Sequence, residues 1–194
     1  MRRFFCLPAA ALLALSACTH NVDPRIAPAR IAAVEPPIHA RVLLLIVPSF
    51  ETYASRSSSG VHKFNYRLGQ SAARALTDMI AQSFDSAEVR RVGDAETLQW
   101  LAGPSDTTIA DLLLIPHIET GGYSTGTFKV AGDVRLRLDV RSFRTPLTHS
   151  WTGVGHSDGM FRSASGVTGN AIEQAISALA DSLRTHRARI EVGR

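Results

Sequence analysis

Apolar positions along the chain fall into four patterns, and each predicts a different element. Residues 4–17 are almost wholly apolar behind Arg2 and Arg3. Residues 41–47 (RVLLLIV) are a continuous run of leucine and β-branched side chains closed by Pro48, which suits a strand buried on both faces. Over 68–84, Leu68, Ala72, Ala75, Leu76, Met79, Ile80 and Phe84 recur at spacings of three and four, the mark of an amphipathic helix with one core face. Val134, Leu136, Leu138 and Val140 alternate with Arg135, Arg137, Asp139 and Arg141, a strand with one wet face.

Weaker signals fill in the rest. A short strand is expected at 87–92 and a short helix at 94–101, with Asp94 as N-cap and Gly103-Pro104 as its stop. Leu112 to Ile115 form a second buried strand within 110–119. A strand at 147–154 is joined to its predecessor by a turn at Thr145-Pro146, and Ile172, Ala175, Ile176, Leu179 and Leu183 face inward from a helix at 168–186. The polar stretch 55–60 and the Ser/Gly-rich stretch 160–169 are predicted loops. The resulting order, β-α-β-α-β-β-β-α, implies an α+β (α/β two-layer) fold with a mixed sheet and helices packed on one face. Residues 40–190 then form a single globular domain.

The apolar start is a different matter. A positive n-region followed by a short apolar stretch at 7–15, broken only by Pro8, is an export signal too short to span a bilayer. Leu15-Ser16-Ala17-Cys18 resembles the bacterial lipobox and matches it at all four positions. That resemblance implies that residues 1–17 are removed and that Cys18, diacylated, becomes the lipid anchor. Cys6 would leave with the leader, so no intramolecular disulfide is expected. Thr19, not Asp, follows the cysteine, which in the same resemblance implies the periplasmic face of the outer membrane over the inner membrane. Pro24, Pro28, Pro36 and Pro37 then make 18–39 an extended tether between anchor and domain.

Composition changes the picture little. With 194 residues, 45 % hydrophobic and 20 % charged, the chain is neither disordered nor collagen-like. Its formal charge of +4 shrinks once Arg2 and Arg3 are removed, to 19 basic against 17 acidic residues. A nucleic-acid partner is not expected.

The lipobox, the proline-rich tether, the opening strand ending Leu44-Leu-Ile-Val-Pro48, the following helix and the closing strand-hairpin-helix occur here as a set. In this order they resemble the small envelope lipoproteins with a TolB amino-terminal-like α/β domain. Among these are the curli-secretion, Pel polysaccharide and lipopolysaccharide-assembly lipoproteins. The resemblance covers about residues 40–188 and implies docking or oligomerisation within export machinery, without catalysis by this domain. The long insertions from which the curli channel builds its barrel are missing, so a pore is not expected.

Four constellations invite a chemical role. Gly155-His-Ser-Asp-Gly159 spells G-x-S-x-G, and Asp181 and His186 follow Ser157 in hydrolase order. No helix is expected directly after that serine, however, and a Gly-rich turn is the better expectation. Seven histidines show no H-x-H or H-x-x-x-H spacing, and neither a metal nor a cofactor is expected. Phe64, Tyr66, Phe128 and Trp151 are candidates for a small pocket or, more plainly, for core. Arg135, Arg137 and Arg141 share one strand face with Arg144 beyond it, and guanidinium groups bind phosphate bidentately. The sequence therefore predicts a non-catalytic, membrane-anchored accessory lipoprotein acting through protein contacts or self-assembly. A binder of anionic lipid or polysaccharide through the arginine face is the alternative.

Overall fold

The leucine run at 41–47 becomes the centre of the molecule. The computed structural model describes residues 19–27, 30–31, 33–59, 62–102, 109–125, 129–144, 148–160 and 162–191. Within it the run lies in β2 (Ile38–Ile46), where Leu43, Leu44 and Leu45 are all fully buried. β2 pairs in parallel with β5 (Phe84–Arg91) on one side and β6 (Leu112–Thr125) on the other. Only a strand covered on both faces by other layers tolerates such a sequence. β6 continues into a long antiparallel ladder with β7 (Lys129–Ser142), and β7 pairs with β8 (Thr148–Met160), giving the order β5-β2-β6-β7-β8.

Two long helices, α2 (Leu68–Ser83) and α4 (Ala164–Thr185), cover one face of this sheet. Val134, Leu136, Leu138 and Val140 of β7 point to them and are all buried. α4 starts where Ser163 caps it, its Oγ accepting the Gly166 N–H at 3.1 Å. Along β8 the helix lies almost on the backbone. A Cβ built on Gly153 would fall on the carbonyl oxygen of Ala175, and one on Gly155 on that of Ala171. These glycines are what lets α4 approach.

The fold is α+β with a mixed sheet, as expected, and one helix stands apart from the other two. α3 (Asp94–Ala102) does not join α2 and α4 but crosses the opposite face, where Arg90 of β5 stacks on Trp100 at 5.4 Å and Arg141 of β7 reaches the α3 carboxyl end. Leu43, Leu45 and Leu113 face that side and are buried as well.

The stretch 55–60, expected as a loop, contributes β3 (Ser55–Ser59), antiparallel to β4 (His62–Tyr66). Its serines leave no apolar signal, because backbone ladder bonds hold it in place. β8 runs on to Met160 and α4 begins at Ala164, so 155–159 is strand and not turn, and 160–169 is mostly helix. Glycines that allow close packing leave the same mark in a sequence as turn formers. Thr145-Pro146 and Gly103-Pro104 lie outside the described residues.

The described residues of the expected tether carry structure of their own. β1 (Thr19–Val22) adds to β4 in parallel, making a second sheet of order β1-β4-β3. Beyond it Asp23 takes a two-pronged ion pair from Arg67 at 2.7 and 2.5 Å, and the Arg25 N–H donates to the Ser165 carbonyl at 3.0 Å. The Ala27 N–H donates to Glu173 at 2.5 Å, and the buried Val34 gives its N–H to Ser83 Oγ. Among the described residues of this segment there is no α-helix, and Arg30 closes a 3-10 turn on the Ala27 carbonyl at 2.9 Å; the extended backbone that prolines favour is equally what a strand or a surface-laid strap requires. α1 (Pro48–Glu51) and α5 (Arg187–Glu191) are short closing turns.

Asp111 ties the main sheet together just before β6. Its carboxylate accepts the Arg41 N–H at 2.8 Å and pairs with the guanidinium groups of Arg41 at 3.2 Å and Arg144 at 2.5 Å. Burial raises its pKa, but the Arg41 backbone and side-chain bonds and the charge of Arg144 outweigh this and hold it below the ordinary value.

Two outcomes follow for stability, both read by urea denaturation. Gly155→Ala should cost about 1–3 kcal/mol, because α4 must lift off the strand. Asp111→Asn should cost about 1–3 kcal/mol at neutral pH. A depressed folded pKa gives stability that is present above the unfolded pKa and lost as pH falls through the folded one, so that second difference should shrink in acid.

Candidate functional site

The face of β6, β7 and β8 that α2 and α4 leave open carries most of the sequence's candidate residues. Register sets them in rows across the strands: Arg137 lies between His117 and Thr152, Asp139 opposite Ser150, and Asp133 opposite His156. The structure brings Arg135, Arg137 and Arg141 to one face as expected, but it gives them different work.

Arg141 Nη1 donates to the carbonyl oxygens of Trp100, at 3.3 Å, and of Leu101, so it completes the C-terminal end of α3. Arg137 is held by Glu119 at 3.4 Å and by Asp139 at 3.0 Å. Arg144 belongs to the Asp111 cluster. Arg135 is exposed, and among the described residues no carboxylate lies within ion-pairing distance of it. The face is a compensated ladder more than a cationic one.

Asp139 is its hub, accepting Ser150 Oγ at 2.5 Å and meeting His117 Nε2 at 3.0 Å as well as Arg137. A second cluster lies further along the hairpin. His156 Nδ1 is 2.6 Å from Asp133, its Nε2 is 3.7 Å from Asp158, and Asp158 is 2.5 Å from Lys129. The bond to Asp133 and then its charge raise the His156 pKa above the ordinary value, while Lys129 lowers that of Asp158. Sequence reasoning missed this cluster because it depends on the register between β7 and β8, which brings together His156 and Asp133, 23 residues apart in the chain. The only advance signal was the shared parity of Lys129, Asp133 and Arg135 along β7.

The hydrolase-like motif is not assembled. Ser157 sits inside β8 with its side chain on the covered face, 8 % exposed. His186 stacks on Trp151 at 5.4 Å and its Nδ1 meets the Ser182 carbonyl at 2.8 Å. Trp151 is six residues from Ser157 on the same strand, roughly 20 Å away. Asp181 pairs with Arg184. Among the described residues, no three His, Cys, Asp or Glu side chains gather into a group able to hold a metal ion.

The aromatic residues divide between two places. Phe64, Tyr66 and Tyr123 stack in sequence, with centroids 6.3 and 4.8 Å apart, whereas Trp151 lies between His149 and His186. Burial raises the pKa of Tyr66. Phe128 lies outside the described residues. On the small sheet, a groove of about 460 Å³ is lined by Thr19, Arg56, Lys63, Phe64 and Asn65, among others. The sequence did not disclose it, since neither β1 nor β3 carries an apolar stripe.

No protein-family model matches the chain, and no curated protein matches it. Solved structures do. Protein XCC0632 from Xanthomonas campestris, of family-model DUF330, is 13 % identical over 89 % of this chain and 95 % of its own, with a TM-score of 0.45. The PelC dodecamer from Paraburkholderia phytofirmans is 16 % identical over 77 % of this chain and 93 % of that one, TM-score 0.43. Lipoprotein GNA1162 from Neisseria meningitidis is 14 % identical over 75 % and 99 %, TM-score 0.35. These are distant likenesses, and the functional reading below rests on this chain's own residues. Among the described residues no helix is long and apolar enough to cross a membrane.

The His156 cluster makes a pH statement that NMR can read. His156 should titrate above the ordinary histidine value, and Asp133→Asn should bring it back down. Because the folded pKa is raised, the pairing is complete below the unfolded pKa and fades as pH rises through the folded one. Coincident titration in the two proteins would contradict the assignment.

Proposed function

We propose that this chain is an envelope lipoprotein, anchored through acylated Cys18, that works by protein contact and not by catalysis. The observation that carries the reading is the placement of Thr19. The residue after the lipobox cysteine is already the first of β1, so the anchor is joined to the folded body without a spacer. An accessory that must present a fixed face from a membrane is served by such a joint. Lipidation at Cys18, the periplasmic face of the outer membrane and an assembly role in export are parts of this one proposal.

The surface that supports a protein contact is the free edge of β8. It ends the five-stranded sheet, runs for 13 residues and exposes Val154 and Met160. Unpaired edges accept a further strand from a second copy or a partner. One of its outward N–H groups, that of His156, is already occupied by Gln174 Oε1 at 3.1 Å, which limits pairing there. The arginine face gives less support to an anionic-ligand binder, since Arg137 and Arg141 are engaged within the protein.

The test runs in the bacterium that makes the protein. Radiolabelled palmitate should enter the wild-type chain and not Cys18→Ala, and only the wild type should sediment with outer-membrane fragments. A photo-crosslinking residue at Thr152 should give one dominant adduct. Val154→Pro removes an outward N–H without taking a bond from the β7 ladder and should abolish that adduct at unchanged thermal midpoint. An unlabelled wild type would defeat the anchor, and an adduct indifferent to Val154→Pro would defeat the edge contact.

A further inference from the structure

The small sheet has two faces, and only one is needed by the core. Register places Thr19, Lys63 and Ser58 abreast, then Asn21, Asn65 and Arg56 abreast two residues further along. The alternate rows hold His20, Phe64 and Ser57, then Val22, Tyr66 and Ser55. Tyr66 is 1 % exposed, and Phe64 and Val22 pack against the core. By alternation Lys63 and Arg56 point the other way, to the outside. Both are exposed, and among the described residues no carboxylate lies within ion-pairing distance of either. Elsewhere arginines such as Arg67, Arg90, Arg91 and Arg137 each have one. Thr19, Arg56, Lys63 and Asn65 also line the groove of about 460 Å³.

The groove has an address. Thr19 is directly opposite Lys63 and is one peptide bond from Cys18. One residue step is about 3.8 Å and one strand spacing about 4.8 Å, so the Lys63 backbone lies within roughly 9 Å of the anchoring residue. That is about one Debye length at physiological salt, inside which a cation still feels a charged surface.

We infer that the outer face of the β1-β4-β3 sheet is a membrane-contact surface, on which Lys63 and Arg56 bind anionic phospholipid headgroups of the leaflet that holds the acyl chains of Cys18. The inference rests on the lipoprotein reading and adds an orientation to it. The lipid chains fix distance, and the two cations fix tilt by drawing this sheet down onto the phosphates. The β8 edge, two strands from the β6 strand that the small sheet touches, is then left for a partner.

The acylated protein, reconstituted in vesicles, tests this. A polarity-sensitive dye is placed at Ser58→Cys, beside Lys63, and in a second preparation at Asp181→Cys, roughly 24 Å along α4 from Ser165 near the small sheet. Vesicles are phosphatidylcholine alone or an equimolar mixture with phosphatidylglycerol. The Ser58 dye should report headgroup contact only with phosphatidylglycerol, the contact should fade with added salt, and the Asp181 dye should stay silent. Arg56→Gln with Lys63→Gln should weaken the contact equilibrium about 25-fold, about five-fold per cation, while the protein still floats with the vesicles. Flotation with a Ser58 signal indifferent to lipid charge, or to the double substitution, overturns the contact surface and leaves the anchor intact. A protein that carries no acyl chain and does not float overturns the lipoprotein reading, and this inference with it.

Discussion

A helix can rest on a sheet at backbone distance only where the sheet has no side chains, and the β8–α4 contact depends on that constraint. Gly153 and Gly155 leave α4 lying against the strand, with Ala171 and Ala175 as the helix's side of the joint. Much else is hung from α4. Its first turn receives the Arg25 N–H at Ser165, and its buried Glu173 receives the Ala27 N–H. Those two bonds set the course of the amino-terminal segment, which in turn delivers β1 to the edge of β4. A change in how closely α4 sits would therefore be felt along the amino-terminal segment and at β1.

The sequence disclosed elements wherever apolar periodicity was strong. β2, α2, β7 and α4 were legible because their burial patterns are long, and the eight-element order they imply recurs in the five-stranded sheet with α2, α3 and α4. What stayed hidden was structure held by backbone bonds alone. β3 is Ser-Arg-Ser-Ser-Ser, and β1 is Thr-His-Asn-Val, so neither carries an inward stripe. The glycines of β8 misled for a related reason, since a residue without a side chain reads the same whether it serves a turn or a close approach. The side assigned to α3 was illegible because it is decided by Arg90 and Arg141, polar residues that a hydrophobic pattern ignores.

The same contrast holds for the candidate face. Alternation along β7 puts Arg135, Arg137 and Arg141 on one face, yet it could not tell that Arg137 and Arg141 have separate partners. Arg137 is held by Glu119 of β6 and by Asp139 of its own strand, and Arg141 by the last carbonyls of α3, so two of these contacts depend on tertiary placement. Read from one strand the face looks cationic; read across three strands, Glu119, Asp133, Asp139 and Asp158 balance it. Exposed pairs of this kind contribute little to stability singly. Their effect is to keep a wet sheet face soluble and specific in charge while the neighbouring edge stays open.

The segment that carries β1 has one more property, and it is mechanical. β1 runs parallel to β4 and is followed in line by the Asp23–Arg67 pair, the Arg25 bond to Ser165 and the Ala27 bond to Glu173. In the lipoprotein reading, tension between membrane and domain enters at Thr19 and meets these fastenings one after another from the amino end. While they hold, the domain sits against the bilayer with no slack. Were they to release in turn, residues 19–33 would pay out roughly 50 Å of extended chain. In that reading the strap is a stored length, and how much of it remains spooled sets the distance between domain and membrane.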